Sequence, residues 1–206
     1  MEDVLEVYHR PYDEDYPVVC MDEQPVQLVK ETRTPNPASP GQCERYDYEY
    51  ERNGTANIFM FCEPKAGKRY VCADEHRTMT DWANQMKHVL DTLYPNAKKV
   101  VLVFDNLNTH KPAAFYKTFA PAEARRLLSR LEIHHTPKHG SWLNIAEIEL
   151  AVLTKQSLDR RIPELKTLQS EIGAWNTERN NIGTKVNWQF TTADARIKLA
   201  RLYPKI

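Results

Sequence analysis

The order of apolar and polar positions divides the chain into a strand-rich first part and a second part in which helices and strands alternate. Residues 18–24 predict a short buried strand that ends in acids, and residues 28–42 have the Pro, Ser and Gly content of a loop. Residues 43–54 alternate large and charged side chains and end in Asn-Gly, which predicts a strand followed by a turn. Two further strands are predicted over 57–64 and 68–75, joined by the turn sequence PKAG. These segments together predict an antiparallel meander of three strands.

From residue 78 onwards the spacing of apolar residues changes. They recur every three or four positions over 78–95, which predicts a helix with Thr80 as its N-cap. Residues 98–104, KKVVLVF, predict a strand that is covered on both faces. A helix with a break near Pro121, a short strand and three further helices are predicted over 115–131, 132–137, 141–161, 167–181 and 191–203.

This order of elements predicts an α/β protein with a mixed five-stranded sheet, in which three antiparallel strands are followed by alternating helix and strand. It is the order of the ribonuclease H-like fold, and in that sheet the first and fourth strands are neighbours. We divide the chain into an N-terminal extension, residues 1–16, and a ribonuclease H-like domain with C-terminal helices, residues 17–206.

Composition narrows the class of protein. The hydrophobic fraction of 41% and the aromatic fraction of 10% are typical of a globular protein rather than a disordered one. Apolar runs stay well short of the ~18 residues of a membrane helix, and the acidic N-terminus is unlike a signal peptide. We therefore expect a cytoplasmic protein without a membrane partner.

The four cysteines form no C-x-x-C pair, which favours reduced thiols. A zinc site at His134, His135 and His139 is disfavoured, because adjacent histidines on a strand point in opposite directions.

Charge is balanced overall and unevenly distributed along the chain. Residues 1–51 contain 13 acidic and 4 basic side chains, so residues 52–206 carry the compensating positive charge. A nucleic-acid partner would contact this later part. The alternative is that both parts are ordinary solvated surfaces.

Three acidic residues lie where a ribonuclease H-like sheet would bring them together. Asp22 ends the first predicted strand, Asp105 ends the long apolar strand, and Glu147 lies early in the helix that opens at SWLN. Clustered carboxylates repel one another and require cations, and their hard oxygen ligands suit Mg²⁺ or Mn²⁺. Two such ions can activate a water molecule and stabilise the leaving oxygen of a phosphodiester. The alternative is that these acids are unrelated, because acids at strand ends are common.

The segments around these acids resemble the catalytic domain of a DDE transposase, from the bacterial insertion-sequence branch of the mariner-like superfamily. The matching segments are MDEQP, HRTMTDWANQMKHVL, VFDNLNTH, TPKHGSWLNIAEIE and NWQFTTADARIKLARLYP, from about residue 17 to the C-terminus. The resemblance implies Asp22, Asp105 and Glu147 as a catalytic triad that binds two Mg²⁺ or Mn²⁺ ions. It also implies cleavage of phosphodiester bonds at transposon ends and transfer of the 3′-hydroxyl to target DNA.

Two neighbouring acids compete with this assignment. Glu149 is the alternative third acid, because it lies two residues after Glu147, about 200° round the helix, so that only one of the two can face the site. Glu23 should point to the opposite face of its strand from Asp22. We interpret Glu23 and Glu149 as structural or solvated residues.

Supporting roles are predicted for three residues. Asn106 and His110 belong to the D-N-x-x-x-H segment. His110 could contact a DNA phosphate, a metal-bound water or a nearby carboxylate, and the alternative is a histidine that fixes the structure of its loop. Asn144 could cap or orient the helix that carries Glu147.

DNA is the expected partner, and its backbone would need positive charge near the acids. The basic residues between the second and third acids are Lys111, Lys117, Arg125, Arg126, Arg130 and Lys138. Trp142 could stack on a splayed base, although a core or interface tryptophan is an equal interpretation. We expect a homodimer, because two transposon ends must be handled together.

Two other functions remain open at this point. Another ribonuclease H-like nuclease would cleave nucleic acid without transferring a strand. A DNA-binding or dimer-forming regulator derived from a transposase would leave its acids unused. Members of the resembled family carry an N-terminal helix-turn-helix region, and the printed sequence has none before residue 17, so we expect a catalytic domain that contacts the DNA backbone without recognising transposon ends by sequence.

Overall fold

The computed structural model describes residues 1–107, 110–138 and 140–203. Within them, a single mixed sheet contains β1 (Val18–Glu31), β2 (Tyr50–Glu63), β3 (Lys68–Asp74), β4 (Val100–Phe104) and β5 (Leu131–His135). Strands β1, β2 and β3 form an antiparallel meander, and β4 pairs in parallel with both β1 and β5. The strand order is β3-β2-β1-β4-β5. The predicted five-stranded sheet, with its first and fourth strands as neighbours, is confirmed.

Helices cover both faces of this sheet. They are α1 (Glu2–His9), α2 (Met79–His88), α3 (Ala113–Thr118), α4 (Pro121–Ser129), α5 (Ile145–Leu153), α6 (Leu165–Ile182) and α7 (Thr192–Lys198). Buried residues of α1, α5, α6 and α7 share one apolar core, and those of α2, α3 and α4 share the other. No helix in the described ranges has both the length and the apolar character needed to cross a membrane.

The two-residue period of β4 assigns its side chains to the two cores in turn. Val101 and Val103 pack on the side of α5, whereas Leu102 and Phe104 pack on the side of α2 and α3. All five residues of β4 are buried, as predicted for a strand covered on both faces. The same alternation decides the face on which Asp105, the next residue, emerges.

Strand β1 is twice as long as predicted, because its second half pairs with β2 instead of forming a loop. The predicted turn at Asn53-Gly54 is wrong. Strand β2 runs through both residues, which lie opposite Leu28 at an irregularity of the register, and Gly54 has a φ of 85°. Glycine takes a positive φ without strain in a turn and at a strand irregularity alike, so the dipeptide lies within a strand here instead of ending one.

Helix α1 was not predicted. Its apolar residues, Val4, Leu5, Val7 and Tyr8, are buried in the core that also contains α5 and α7, and the hydroxyl of Tyr8 donates a hydrogen bond to Leu143 O (2.6 Å). Part of the predicted N-terminal extension therefore packs on the same core as the rest, and the domain boundary at residue 17 remains a prediction. The N-cap of α2 is also different from the prediction: Thr78 and not Thr80 caps it.

Candidate active site

The parallel pairing of β1 with β4 brings two of the predicted acids to the same edge. The last registered pair is Cys20 with Val103, and Asp22 and Asp105 each lie two residues beyond it. Two-residue steps along a strand return to the same face, so both acids project towards the side covered by α5. Asp22 does not end β1, as had been predicted. It lies within the strand, where β4 stops and only β2 continues alongside.

Asn144 fixes α5 against β1. Its Oδ1 accepts a hydrogen bond from Ala146 N (3.2 Å), which caps the helix, and its Nδ2 donates to Met21 O (2.8 Å). Asn144 is buried, and Met21 immediately precedes Asp22. One side chain therefore sets both the start of α5 and its position relative to the strand that carries the first acid.

Glu147 completes the group of acids. It lies in the first turn of α5, is exposed, and lines the same cleft of about 680 Å³ as Asp22 and Asp105. A carboxylate in the first turn is favoured by the N-terminal end of the helix dipole. The structure therefore brings all three predicted acids to one cleft.

Glu149 projects away from this cleft and is buried. Arg69 donates to it through Nε (3.0 Å to Oε2) and Nη2 (2.8 Å to Oε1), and Arg179 donates to the same two oxygens at 3.2 and 3.1 Å. Burial raises the pKa of Glu149, but the hydrogen bonds from the two guanidinium groups outweigh it and hold the pKa below its ordinary value. Its carboxylate is engaged in holding α5 to β3 and α6.

Asp22 is the acid of the cleft whose pKa is perturbed most clearly. Burial raises the pKa of Asp22 to about 6, a hydrogen bond from Glu23 N (2.8 Å) opposes the rise, and the charges of Asp105 and Glu147 add to it. The cleft is therefore electronegative, and Asp22 becomes mostly ionised only above about pH 6.

The donor set of the cleft fits a hard divalent cation. Its three acids offer carboxylate oxygens, which Mg²⁺ and Mn²⁺ prefer. In the part of the chain that the structure describes, no group of three or more His, Cys, Asp or Glu side chains is already gathered closely enough to hold a metal ion. Mutual repulsion of the carboxylates, which contributes to the raised pKa of Asp22, opposes a tighter arrangement of the protein groups by themselves.

His110 approaches Asp105 from the side covered by α2 and α3. Its Nε2 lies 2.9 Å from Glu23 Oε1 and its Nδ1 lies 3.2 Å from Asp105 Oδ1. The second contact has the distance of an ion pair without the angle of a hydrogen bond. Burial lowers the pKa of His110, but the contacts with Asp105 and Glu23 outweigh it and raise the pKa to about 9. Of the alternatives considered for His110, the structure shows the contact with carboxylates.

Trp142 is the half-exposed end of an aromatic cluster. It is 42% exposed, stacks on Trp188 with ring centroids 6.4 Å apart, and meets the ring of Phe190 edge-on. It directly follows Ser141, which lines the cleft. One side of its indole is thus packed, and the rest is exposed to solvent.

The predicted DNA-contacting residues differ in their surroundings. Lys111, Arg125 and Lys138 are exposed, as is Asn106 on the segment after β4. The guanidinium of Arg126 is bound by the carboxylates of Asp91 and Glu123, and Arg130 donates to four backbone carbonyls, of Leu90, Tyr94, Pro95 and Ala97. These two arginines hold the C-terminal end of α4 against the segment that follows α2.

The histidines considered for a zinc site have other surroundings. His134 forms ion pairs with Asp3 (2.7 Å) and Glu132 (2.9 Å), and the ring of His135 packs edge-on against Phe104. His139 lies outside the described residues.

The buried partners of Glu149, which are Arg69 and Arg179, were not predicted, and Glu23 was not identified as the carboxylate that His110 contacts. One signal was present in the sequence. In the strand KRYVCAD, side chains alternate between two faces, and Arg69 lies on the same face as the apolar residues Val71 and Ala73. A cation on the buried face of a strand requires a buried anion, since an unpaired charge there is very costly.

Comparison with known proteins extends these observations. A family described as DDE superfamily endonuclease matches residues 17–169, well over half of the chain. No curated protein sequence matches it. Similar solved structures include the Mos1 mariner paired end complex with Mn, with 17% identity, and the Mos1 Strand Transfer Complex, with 16% identity, each at a TM-score of 0.56. Both alignments cover 89% of this chain and 55% of the Mos1 chain, so this chain spans about half the length of those proteins. At this identity the likeness is one of fold, and it confirms the predicted ribonuclease H-like class.

Proposed function

The chain belongs to the DDE superfamily endonucleases, and on that premise we propose that it is the catalytic domain of a metal-dependent DNA transposase. Its reaction would be the cleavage of phosphodiester bonds at transposon ends, followed by transfer of the freed 3′-hydroxyl to target DNA. The observation that carries this proposal is the meeting of Asp22, Asp105 and Glu147 in one cleft. The bacterial insertion-sequence branch remains a prediction.

We assign Asp22, Asp105 and Glu147 as the catalytic residues that would hold two Mg²⁺ or Mn²⁺ ions. The parallel register of β1 and β4 and the contacts of Asn144 support this choice. Glu149 is left out because two arginines already occupy its carboxylate. Bound divalent cations would supply the Lewis acid that activates the attacking oxygen and stabilises the leaving one.

The protein itself contributes the positions of the three carboxylates. Asp22 and Asp105 stand on adjacent strands whose residues up to these acids are buried, and Glu147 stands on a helix whose first turn is tied to β1 by Asn144. Rigid placement matters because a metal centre tolerates little error in the geometry of its ligands. The same cleft would serve water in the first step and the 3′-hydroxyl in the second, so that no covalent enzyme intermediate is needed.

The negative cleft repels a DNA backbone unless cations stand beside it. We propose that exposed Lys111, Arg125 and Lys138 contact phosphates and that Trp142 stacks on an unpaired base. Arg126 is left out of this surface, because its guanidinium is bound by two carboxylates. A homodimer on DNA is part of the proposal, and sedimentation that gave only monomer, with and without DNA, would contradict it.

Nicking of supercoiled DNA tests the proposed function. The wild-type chain should nick in Mg²⁺ or Mn²⁺ and not in EDTA, and Asp105→Asn, which keeps the shape and removes the charge, should lose activity at least about a hundredfold. Asp159→Asn is the matched control, because Asp159 lines the same cleft and lies in none of the proposed roles. Joining of a pre-cut DNA end to a target plasmid then separates a transposase from a nuclease that only cleaves.

Calorimetric titration with Mn²⁺ covers the case in which no nicking is seen. Binding by the wild type that is lost in Asp105→Asn would preserve the assignment of the site. A wild-type chain that binds no Mn²⁺ and nicks no DNA would overturn the proposal in favour of a regulator with unused acids.

A further inference from the structure

Glu23 is linked to both Asp22 and Asp105, to the first by its own backbone N–H and to the second through His110. Its backbone N–H donates a hydrogen bond to Asp22 Oδ1 (2.8 Å). Its side chain, which alternation turns to the opposite face of β1, meets His110 Nε2 at 2.9 Å, and His110 Nδ1 lies 3.2 Å from Asp105 Oδ1. The result is a buried carboxylate–imidazole–carboxylate chain that runs behind the cleft from one strand to the other.

The imidazole in this chain has little freedom. It stacks on Trp82 with ring centroids 5.3 Å apart and planes inclined by 29°, and it meets the ring of Phe104 edge-on at 5.5 Å. The side chain of His110 is fully buried and that of Glu23 is 2% exposed. Packing fixes the plane of the ring, and Glu23 fixes its rotation within that plane.

Asp105 is held asymmetrically by this ring. Its side chain is one-third exposed, yet its Oδ1 is buried and faces His110. The exposure therefore belongs to the other side of the carboxylate. An aspartate carboxylate otherwise rotates within a broad torsional well, so contact at one oxygen restricts the direction of the second.

We propose that Glu23 and His110 are positioning residues: Glu23 holds the His110 ring, and the ring fixes the Asp105 carboxylate so that one oxygen faces the cleft and a divalent cation. This inference rests on the proposed function of the cleft. Groups that orient metal ligands from behind typically contribute 10- to 100-fold to metal affinity. The alternative is that His110 only fills space beside Trp82.

A pair of substitutions separates the two explanations. The amide nitrogen of asparagine can occupy the place of histidine Nδ1, and that of glutamine the place of Nε2. His110→Asn should therefore keep a nitrogen facing Asp105, whereas His110→Gln should keep only the contact with Glu23. Both remove the same aromatic ring, so both should lower thermal stability to a similar extent.

The measurement is Mn²⁺ affinity by calorimetry on the full chain without DNA. We expect His110→Gln to bind about 10- to 100-fold more weakly than wild type. His110→Asn, which keeps the group facing Asp105 and loses only the support from Glu23, should bind more tightly than His110→Gln. His134→Gln is the matched control, because His134 also lies between two carboxylates, Asp3 and Glu132, and contacts none of the three acids. Its affinity should equal that of wild type.

Glu23→Ala tests the other end of the chain, since it removes the side chain and keeps the N–H that holds Asp22. It should weaken Mn²⁺ binding in the wild-type background and have no further effect in His110→Gln, because Glu23 acts through the ring. Equal affinities for His110→Asn and His110→Gln, or additive effects of Glu23→Ala and His110→Gln, would overturn the inference. Asp105→Asn is measured alongside. If it binds Mn²⁺ like wild type, the proposed metal site itself is wrong. If Asp105→Asn loses binding while the His110 and Glu23 variants keep it, the metal site stands and only the positioning role is wrong.

Discussion

Replacement of Asn144 should destabilise the fold by a predictable amount, because this side chain makes two separable contacts. Asn144→Ala removes the N-cap of α5, which costs about 1 kcal/mol. It also leaves the buried Met21 carbonyl without the amide donor at 2.8 Å, which costs about 1–3 kcal/mol. The free energy of unfolding should therefore fall by about 2–4 kcal/mol, which for a chain of this size lowers Tm by roughly 5–15 °C.

Asn144→Ser divides this loss into its parts. A serine oxygen can still cap the helix, but it does not reach Met21 as the amide does, so about 1–3 kcal/mol should be lost and the capping contribution kept. The assay is urea unfolding of metal-free protein, followed by thermal unfolding. An Asn144→Ala protein within about 0.5 kcal/mol of wild type would refute the reasoning, as would a serine variant less stable than the alanine variant.

Three further predictions concern the stability of the fold. Gly67→Ala should destabilise the fold by more than about 1 kcal/mol, because φ is +73° and the new Cβ would lie 2.5 Å from a backbone carbonyl oxygen. Gly173→Ala, whose new Cβ would meet no atom within 4 Å, should stabilise α6 by about 0.5–1 kcal/mol, and urea midpoints of the two variants that shift in the same direction would contradict this. Burial raises the pKa of Glu63 above its ordinary value of 4.5, so its ionised form opposes folding. Glu63→Gln should therefore be more stable than wild type at neutral pH and lose that advantage as the pH falls through the raised pKa towards 4.5; an advantage independent of pH would refute this. Glu149→Gln should lose about 3–5 kcal/mol because it leaves two guanidinium groups without their shared anion, while Glu147→Gln on the same helix should change metal-free stability by less than about 0.5 kcal/mol, and similar losses in the two would rule out this account of the buried cluster.

The parts of the fold that could be predicted are those in which local pattern and tertiary environment agree. The apolar run before Asp105 predicted a strand covered on both faces, and all of its residues are buried. The period change near residue 78 predicted α2, although its cap lies two residues earlier. The meeting of Asp22 with Asp105 followed from the strand order of the fold, because nothing local to either acid specifies its neighbour.

The parts that could not be predicted depend on partners that are distant in the chain. The second half of β1 looks like a loop by composition, and it is a strand because β2 supplies its hydrogen bonds. Helix α1 was not predicted, because its acidic residues are interspersed with four apolar ones that are buried only through packing in the core shared with α5 and α7. Glu149 could be separated from Glu147 by helical geometry, but only its contacts with Arg69 and Arg179 show which of the two is enclosed.

The pairing of β1 with β4 also has a consequence for the time course of folding. Two antiparallel strands and a helix separate these parallel neighbours in the chain, and ordering so long a segment costs entropy before the pairing returns any contacts. The three acids consequently lie together only in molecules whose sheet is complete. A cation that binds only such molecules pulls the folding equilibrium towards them, by about 2.7 kcal/mol at a hundredfold excess over Kd. For the proposed nuclease, a partly folded chain would then be unable to cut DNA, and a metal ion that binds the acids would favour the complete fold.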